Sequence, residues 1–220
     1  MLKDDIETLE REGFIHKRKL VSSLDCEKII SYLSTRPAAL NIPFSDVAWG
    51  FGNMIADSEL SSVHANQYIN TICKEVLGEN FEFNHLMVNN KAPFIGPGIE
   101  WHQEIFNVNT YAPGANTCED SYKDFLQVYI ALDPHTLENG CLKVIPRSHL
   151  LGLLPHEDIV NHLLDHKRRI PYSSMEKVFQ TNGMTNVLMD QGDVLFFGHR
   201  FIHGSSSNNS GFHRKSIVMQ

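Results

Sequence analysis

Ile99-Glu100-Trp101-His102-Gln103-Glu104-Ile105 places a histidine and a carboxylate two residues apart in a short run with strand character. In an extended strand successive side chains point to opposite faces, so His102 and Glu104 share one face while Trp101, Gln103 and Ile105 take the other. An imidazole and a carboxylate side by side on a rigid element make two corners of the two-histidine, one-carboxylate set that binds non-haem iron(II). The third corner must come from a distant strand. The best candidate is His203, in Phe201-Ile202-His203-Gly204-Ser205. Beyond it lies Arg214, whose planar guanidinium matches a carboxylate in a bidentate pair and could clamp a carboxylate cosubstrate. Without His203 upstream, Arg214 would read as a surface charge. A lone H-x-E is weak in a chain with 12 histidines and 26 acidic residues, so the surroundings must carry the reading.

Those surroundings are β-rich. Residues 81–89, 99–105, 125–132, 141–145, 186–189, 193–203 and 212–219 are short runs of Val, Ile, Phe and Tyr between Gly, Pro, Asn and Asp punctuation. Asn139-Gly140 between two of them is a hairpin signal. If 193–203 is one strand, His199 and His203 share a face, with His199 packing near the site. Upstream the period changes to that of helices. Leu2, Ile6 and Leu9 form a stripe over residues 3–12, stopped by Gly13. Ser22-x-x-Asp25 opens a second helix with Ile29, Ile30 and Leu33 inside, and Asp57-Ser58 can cap a third running to Leu77. The pattern predicts one domain over 1–220, mainly β with flanking helices: a helical layer over 1–78 outside one sheet of a double-stranded β-helix (jelly roll, cupin-like) over 79–220.

Three segments interrupt this plan. Residues 34–56 hold Phe44, Trp49, Phe51 and Met54 and either line a pocket or pack over the core. Residues 106–123 are polar. Residues 150–184 form an insert with a helix expected at 157–167. Long excursions in a compact domain are often lids or binding loops. His162 and His166 sit four apart on that expected helix, a zinc-competent spacing, but no catalytic glutamate follows His162 and a solvated face is the better reading. Lys167-Arg168-Arg169 would then complement the helix C-terminus.

Bulk properties narrow the partners. The 220 residues are 42% hydrophobic and 20% charged, with a net charge of -7. Nucleic acid needs concentrated positive surface, so it is not the expected partner. No apolar run has membrane-spanning length, no signal core or transit segment opens the chain, and a cytoplasmic setting is expected. Cys26, Cys73, Cys118 and Cys141 form no C-x-x-C pair and read as reduced packing thiols.

Taken together, three groups of residues resemble the phytanoyl-CoA dioxygenase family of iron(II)- and 2-oxoglutarate-dependent oxygenases. The first is Trp101-His102-Gln103-Glu104. The second is Leu132-Asp133 followed by Asn139-Gly140-Cys141-Leu142 and Val144-Ile145-Pro146, then Ser148-His149. The third is Gln191-Gly192-Asp193-Val194-Leu195-Phe196-Phe197, leading to His203-Gly204-Ser205 and Arg214. Leu9-Glu10-Arg11-Glu12-Gly13-Phe14-Ile15 is similar to the family's opening helix and strand.

The resemblance implies iron(II) on His102, Glu104 and His203, with O2 as oxidant and 2-oxoglutarate held by Arg214 with help from Ser205. Met87 and Tyr129 fall where the family lines the cosubstrate pocket, although core packing explains them nearly as well; Gln127 shares the face of Tyr129. The family usually has aspartate at Glu104, and glutamate keeps the charge. A glycine or alanine there would have opened a halide position, so Glu104 points to hydroxylation or desaturation of a small-molecule C–H bond. Arg147 replaces a common glycine and decorates a turn or, less favoured, reaches an anionic substrate. The rivals are a non-catalytic jelly-roll ligand-binding protein of the same ancestry and an oxygen-independent cupin-like metalloenzyme. The weakly matched segments, with Phe44, Trp49, Phe51, Phe106, Asn107, Asn109 and Tyr111, are expected to wall the substrate pocket.

Overall fold

The computed structural model describes residues 2–35, 48–51 (backbone), 54–104, 125–159 and 168–220. Two antiparallel sheets face each other. The larger has the order β1-β10-β5-β12-β3-β2 and the smaller β4-β11-β6-β9. The larger comprises β1 (Phe14–Lys17), β2 (Ala48–Phe51), β3 (Leu86–Lys91), β5 (Leu126–Ala131), β10 (Val194–Gly198) and β12 (Arg214–Met219). The smaller comprises β4 (Ile99–His102), β6 (Leu142–Val144), β9 (Thr185–Val187) and β11 (His203–Ser205). Strands β7 (Glu157–Asp158) and β8 (Arg168–Arg169) pair separately. This is the jelly roll expected from the strand pattern.

Alternation along the strands sorts the core into layers. Tyr129, Leu195, Phe197 and Val218 of the large sheet meet Leu142, Val144 and Val187 of the small one between the sheets. On the outer face of the large sheet, Val88, Val128, Ile130, Phe196 and Ile217 pack beneath three helices. These are α1 (Leu2–Glu12), α2 (Ser23–Ser34) and α4 (Gln67–Leu77), which contribute Leu9, Ile29, Leu33, Ile69 and Ile72. Ser22 caps α2 by accepting from the Asp25 amide, as its position in the sequence implied.

The structure corrects four local readings. The helix expected from Asp57 to Leu77 is broken. A 3-10 turn (Ser58–Leu60) and short α3 (Ser61–His64) end before Asn66, whose side chain accepts from the Tyr68 and Ile69 amides and starts α4 afresh. An asparagine inside an apolar stripe acted as a cap.

The run 193–203 is two strands in two sheets. After β10 the chain turns, with the Phe201 amide donating to the Gly198 carbonyl, and the Ile202 amide takes Ser148 Oγ at 2.9 Å. His199 therefore lies on the crossing and shares no strand face with His203. Asn139-Gly140 likewise makes a turn, but β5 and β6 on either side belong to different sheets, so it closes no hairpin.

The helix expected at 157–167 does not begin there: Glu157 and Asp158 pair as strand with Arg169 and Arg168, and residues 160–167, with His162 and His166, lie outside the described residues. Arg168 and Arg169 are matched by those carboxylates, at 3.2 and 2.7 Å, rather than by a helix terminus. The helix of this insert is α5 (Tyr172–Asn182), between Pro171 and Gly183. It covers the outside of the small sheet through Met175 and Val178, against Trp101, Ile145 and Ile202. Arg147 is exposed in a left-handed turn with φ 62°, the conformation that makes glycine common there, and the turn reading holds.

Gly140 matters most to the site. Its φ is +77°, and a Cβ built on it would overlap the Ser206 carbonyl oxygen. Gly140→Ala is expected to lower unfolding stability by about 3 kcal/mol or more, read from urea melts. A loss under about 1 kcal/mol would show that β11 and this turn yield to one another.

Candidate metal centre

His102 and His203 are directly opposed in the β4–β11 ladder, and the ladder's register shifts immediately after His203. Cross-strand neighbours lie close enough for their side chains to meet, and the two imidazole centroids are 4.2 Å apart. Each ring is oriented by its own strand. His102 Nδ1 donates to the Glu100 carbonyl at 2.7 Å and His203 Nδ1 to the Phe201 carbonyl at 3.0 Å. With Nδ1 engaged by a carbonyl, each ring turns its Nε2 toward Glu104.

Glu104 lies just beyond β4, and its amide donates to the His199 carbonyl at 2.9 Å. Its Oε1 is 3.2 Å from His203 Nε2 and 3.6 Å from His102 Nε2. The three donor atoms lie within 4.8 Å of one another, in a buried setting. Burial alone would raise the Glu104 carboxyl pKa, but the two imidazoles more than offset it and hold it well below the usual carboxylate range. Burial, then the neighbouring His203, lowers the His102 pKa. A divalent metal requires an ionised carboxylate and an Nε2 lone pair from each ring.

Gln103, between two of these residues, is fixed on every side. Its side-chain amide donates to the Gly152 and Arg200 carbonyls, its Oε1 accepts from the Leu154 amide, and its own amide donates to His156 Nε2. These bonds hold the backbone from which His102 and Glu104 project.

A second polar cluster lies deeper between the sheets. Arg214 opens β12 opposite Lys91 on β3 and is 2% exposed. Its Nη1 donates to the Gly140 carbonyl at 2.5 Å, its Nε has no partner, and among the described residues no carboxylate pairs with it. Tyr129 Oη, Ser216 Oγ and His135 Nδ1 are also buried without hydrogen-bond partners. Burial raises the Tyr129 pKa against the pull of Arg214, whereas burial and the Arg214 charge together push His135 well below its ordinary value. A buried guanidinium among unsatisfied polar groups is costly unless an anion completes it. Ser205 Oγ belongs to this cluster and accepts from Lys91 Nζ at 2.7 Å.

Met87 is half-buried against the same interior layer. Gln127 is buried too, but its Oε1 already accepts from Gln220 Nε2 at 2.9 Å. The sequence reading passed over Lys91 and His135. Met87, Asn89 and Lys91 share a strand face, and Lys91 is buried opposite its ladder partner Arg214. Phe44, Phe106, Asn107, Asn109 and Tyr111 lie outside the described residues, and only the backbone of Trp49 and Phe51 is described.

A jelly roll holding two histidines, a carboxylate and a buried arginine has the architecture and donor set of a non-haem iron oxygenase. The family model described as Phytanoyl-CoA dioxygenase matches residues 9–216, and the chain belongs to that family. It is 24% identical over 234 residues to the peroxisomal phytanoyl-CoA dioxygenase of Bos taurus, spanning 94% of this chain and 64% of that protein, somewhat under two thirds of its length. It is 21% identical over 243 residues to the ectoine dioxygenase of Bordetella bronchiseptica, covering 98% of this chain and 73% of the relative. Among solved structures, the epimerase SnoN in complex with Fe3+, alpha ketoglutarate and nogalamycin RO superposes with a TM-score of 0.72 at 16% identity, over 99% of this chain and 82% of that one. EctD from S. alaskensis with 2-oxoglutarate and 5-hydroxyectoine gives 0.71 at 19%, over 97% and 73%. These likenesses support the fold. Among the described residues no helix is long and apolar enough to cross a membrane.

Proposed function

We propose that this chain is an iron(II)- and 2-oxoglutarate-dependent dioxygenase that hydroxylates or desaturates a C–H bond of a small molecule, with release of succinate and carbon dioxide. His102, Glu104 and His203 hold the metal. Arg214, with Ser205 and Tyr129, receives the far carboxylate of 2-oxoglutarate. The observation that carries this reading is the pairing of two incomplete sites: three converging buried donor atoms, and a buried arginine that no carboxylate among the described residues pairs with.

When bound, iron with 2-oxoglutarate supplies the oxidising chemistry, and the protein's part is to orient and enclose it. The Glu100 and Phe201 carbonyls engage both Nδ1 atoms and so leave the two Nε2 atoms to the metal, and Gln103 braces the backbone between His102 and Glu104. Arg214 offers a fork that the far carboxylate of a dicarboxylic oxoacid would fill. Phe197 packs against the His203 ring at 4.6 Å and keeps water from that side. The acidic net charge makes a coenzyme A thioester a poorer fit than a small natural-product intermediate or an amino-acid-like acid.

Arg214→Ala is expected to weaken 2-oxoglutarate binding by roughly a hundredfold, with iron content unchanged, in calorimetric titrations without oxygen. Unaltered affinity would remove Arg214 from the cosubstrate site.

A further inference from the structure

The interior face of β12 begins at Arg214 and runs through Ser216 and Val218 to Gln220, directly after the strand, about 20 Å further along the chain. Gln220 exchanges backbone hydrogen bonds with His85, at 2.8 and 3.2 Å. Its side chain meets Gln127, with Nε2 donating to Gln127 Oε1 at 2.9 Å. Gln127 is the ladder partner of Phe197, whose ring packs 4.6 Å from that of His203. The two amides therefore stand on the large-sheet wall beside the metal ligands, at the end away from Arg214. A small diacid that reaches Arg214 is too short to cover this end as well.

Gln127 and Gln220 are 4% and 7% exposed. The bond between them uses one N–H and one carbonyl. Gln220 Oε1 is buried without a partner, and no described residue accepts from Gln127 Nε2. Turning both amides over leaves the same remainder, one carbonyl acceptor beside a set of N–H donors. Buried polar groups left unmet in this way are costly. The neighbours in this row add no charge, since Phe197 is apolar and burial lowers the His85 pKa, favouring the neutral ring. A charged head group would lose its hydration here without a counter-charge.

We propose that Gln127 and Gln220 form a specificity pair for the substrate, receiving an uncharged group that donates and accepts at once, a lactam or a carboxamide. This rests on the metal and cosubstrate reading given above and adds the substrate's recognition group to it. The substrate carbonyl takes an N–H of Gln127 while the substrate N–H donates to Gln220 Oε1. A molecule lacking either half leaves a buried amide group unpaired, which is the strongest basis a site has for rejecting an isostere.

The test is the paramagnetic relaxation of probe protons by bound iron(II), titrated anaerobically on the iron-loaded protein with 2-oxoglutarate present. The probes are 2-pyrrolidinone, a lactam, and cyclopentanone, which keeps the ring and carbonyl but has no N–H. The lactam is expected to bind about tenfold more tightly than the ketone. Gln220→Leu is expected to abolish that preference and to leave 2-oxoglutarate affinity unchanged. Gln127→Leu carries the same comparison should the first variant not fold. Equal relaxation of the two probes in the unaltered protein would overturn the proposal, as would a preference retained in a folded variant. A parallel loss of 2-oxoglutarate affinity would also overturn it, by making the pair a strut of the interior. If 2-oxoglutarate itself fails to bind the unaltered protein, the cosubstrate reading fails, while the two probes on the iron form still decide the amide pair.

Discussion

His203→Ala is expected to reduce iron occupancy sharply and to lower 2-oxoglutarate turnover by at least about a hundredfold, since loss of an outer partner of a metal ligand alone costs up to that much. The residue supplies one of three converging donors, and its Nε2 is the closer of the two imidazole nitrogens to Glu104, at 3.2 Å. The fold should survive, because the substitution leaves the β11 backbone ladder to β4 and β6 in place. Iron content after anaerobic loading and desalting, with succinate production, provides the readout. Retained iron and turnover in a folded variant would strike His203 from the ligand set. Glu104→Ala should behave alike in iron content, since its carboxylate touches both rings.

The second large effect concerns stability. Asp193, at the entrance to β10, is fully buried and accepts from four donors: the Lys19 and Asp190 amides, Arg18 Nη1 and His16 Nε2, all at 2.9–3.0 Å. It ties the chain following β1 to the turn that sends β10 into the large sheet. Asp193→Ala would leave four donors without their shared carboxylate, and unfolding stability is expected to fall by about 3 kcal/mol in urea melts. A fall under about 1 kcal/mol would mean that water replaces the carboxylate.

The same group carries a pH dependence. Burial would raise the Asp193 pKa, but the amide bonds and His16 bring it below the usual value. A carboxyl whose folded pKa is depressed contributes stability above its unfolded pKa, about 3.9, and loses it as pH falls through the lower folded value. Asp193→Asn should therefore flatten the acid limb of the stability curve below about pH 4. An unchanged acid limb would assign that loss of stability to other carboxylates.

These residues differ in how openly the sequence displays them. His102 and Glu104 were legible from their spacing of two, although the strand expected over 99–105 ends at His102 and Glu104 is placed by its amide bond to the His199 carbonyl. The layered core was legible for the same reason, since apolar residues recur at period two in the sheets and near 3.6 in α1 and α2. The break at 199–202 was hidden because Phe196 through Ile202 stays largely apolar; what bends the chain is hydrogen bonding to Ser148 and Gln103, contributed from far away in sequence. Helix α5 was missed because only Met175 and Val178 of its eleven residues are buried, too few to make a stripe. Lys91 was overlooked because a lysine before Ala92-Pro93 reads as a solvated strand end, and only the ladder to Arg214 shows that it points inward. Local periodicity is written in the chain, whereas inter-sheet contacts are not.

The central claim is that 2-oxoglutarate chelates a metal held by His102, Glu104 and His203 while its far carboxylate reaches Arg214. The most direct measurement is an anaerobic titration of the iron-loaded protein with 2-oxoglutarate, followed through the visible metal-to-ligand charge-transfer band. The expected result is a saturable band that disappears in His102→Ala. Iron bound without any such band would contradict the claim and return the fold to its rivals, a ligand-binding jelly roll or an oxygen-independent metalloenzyme.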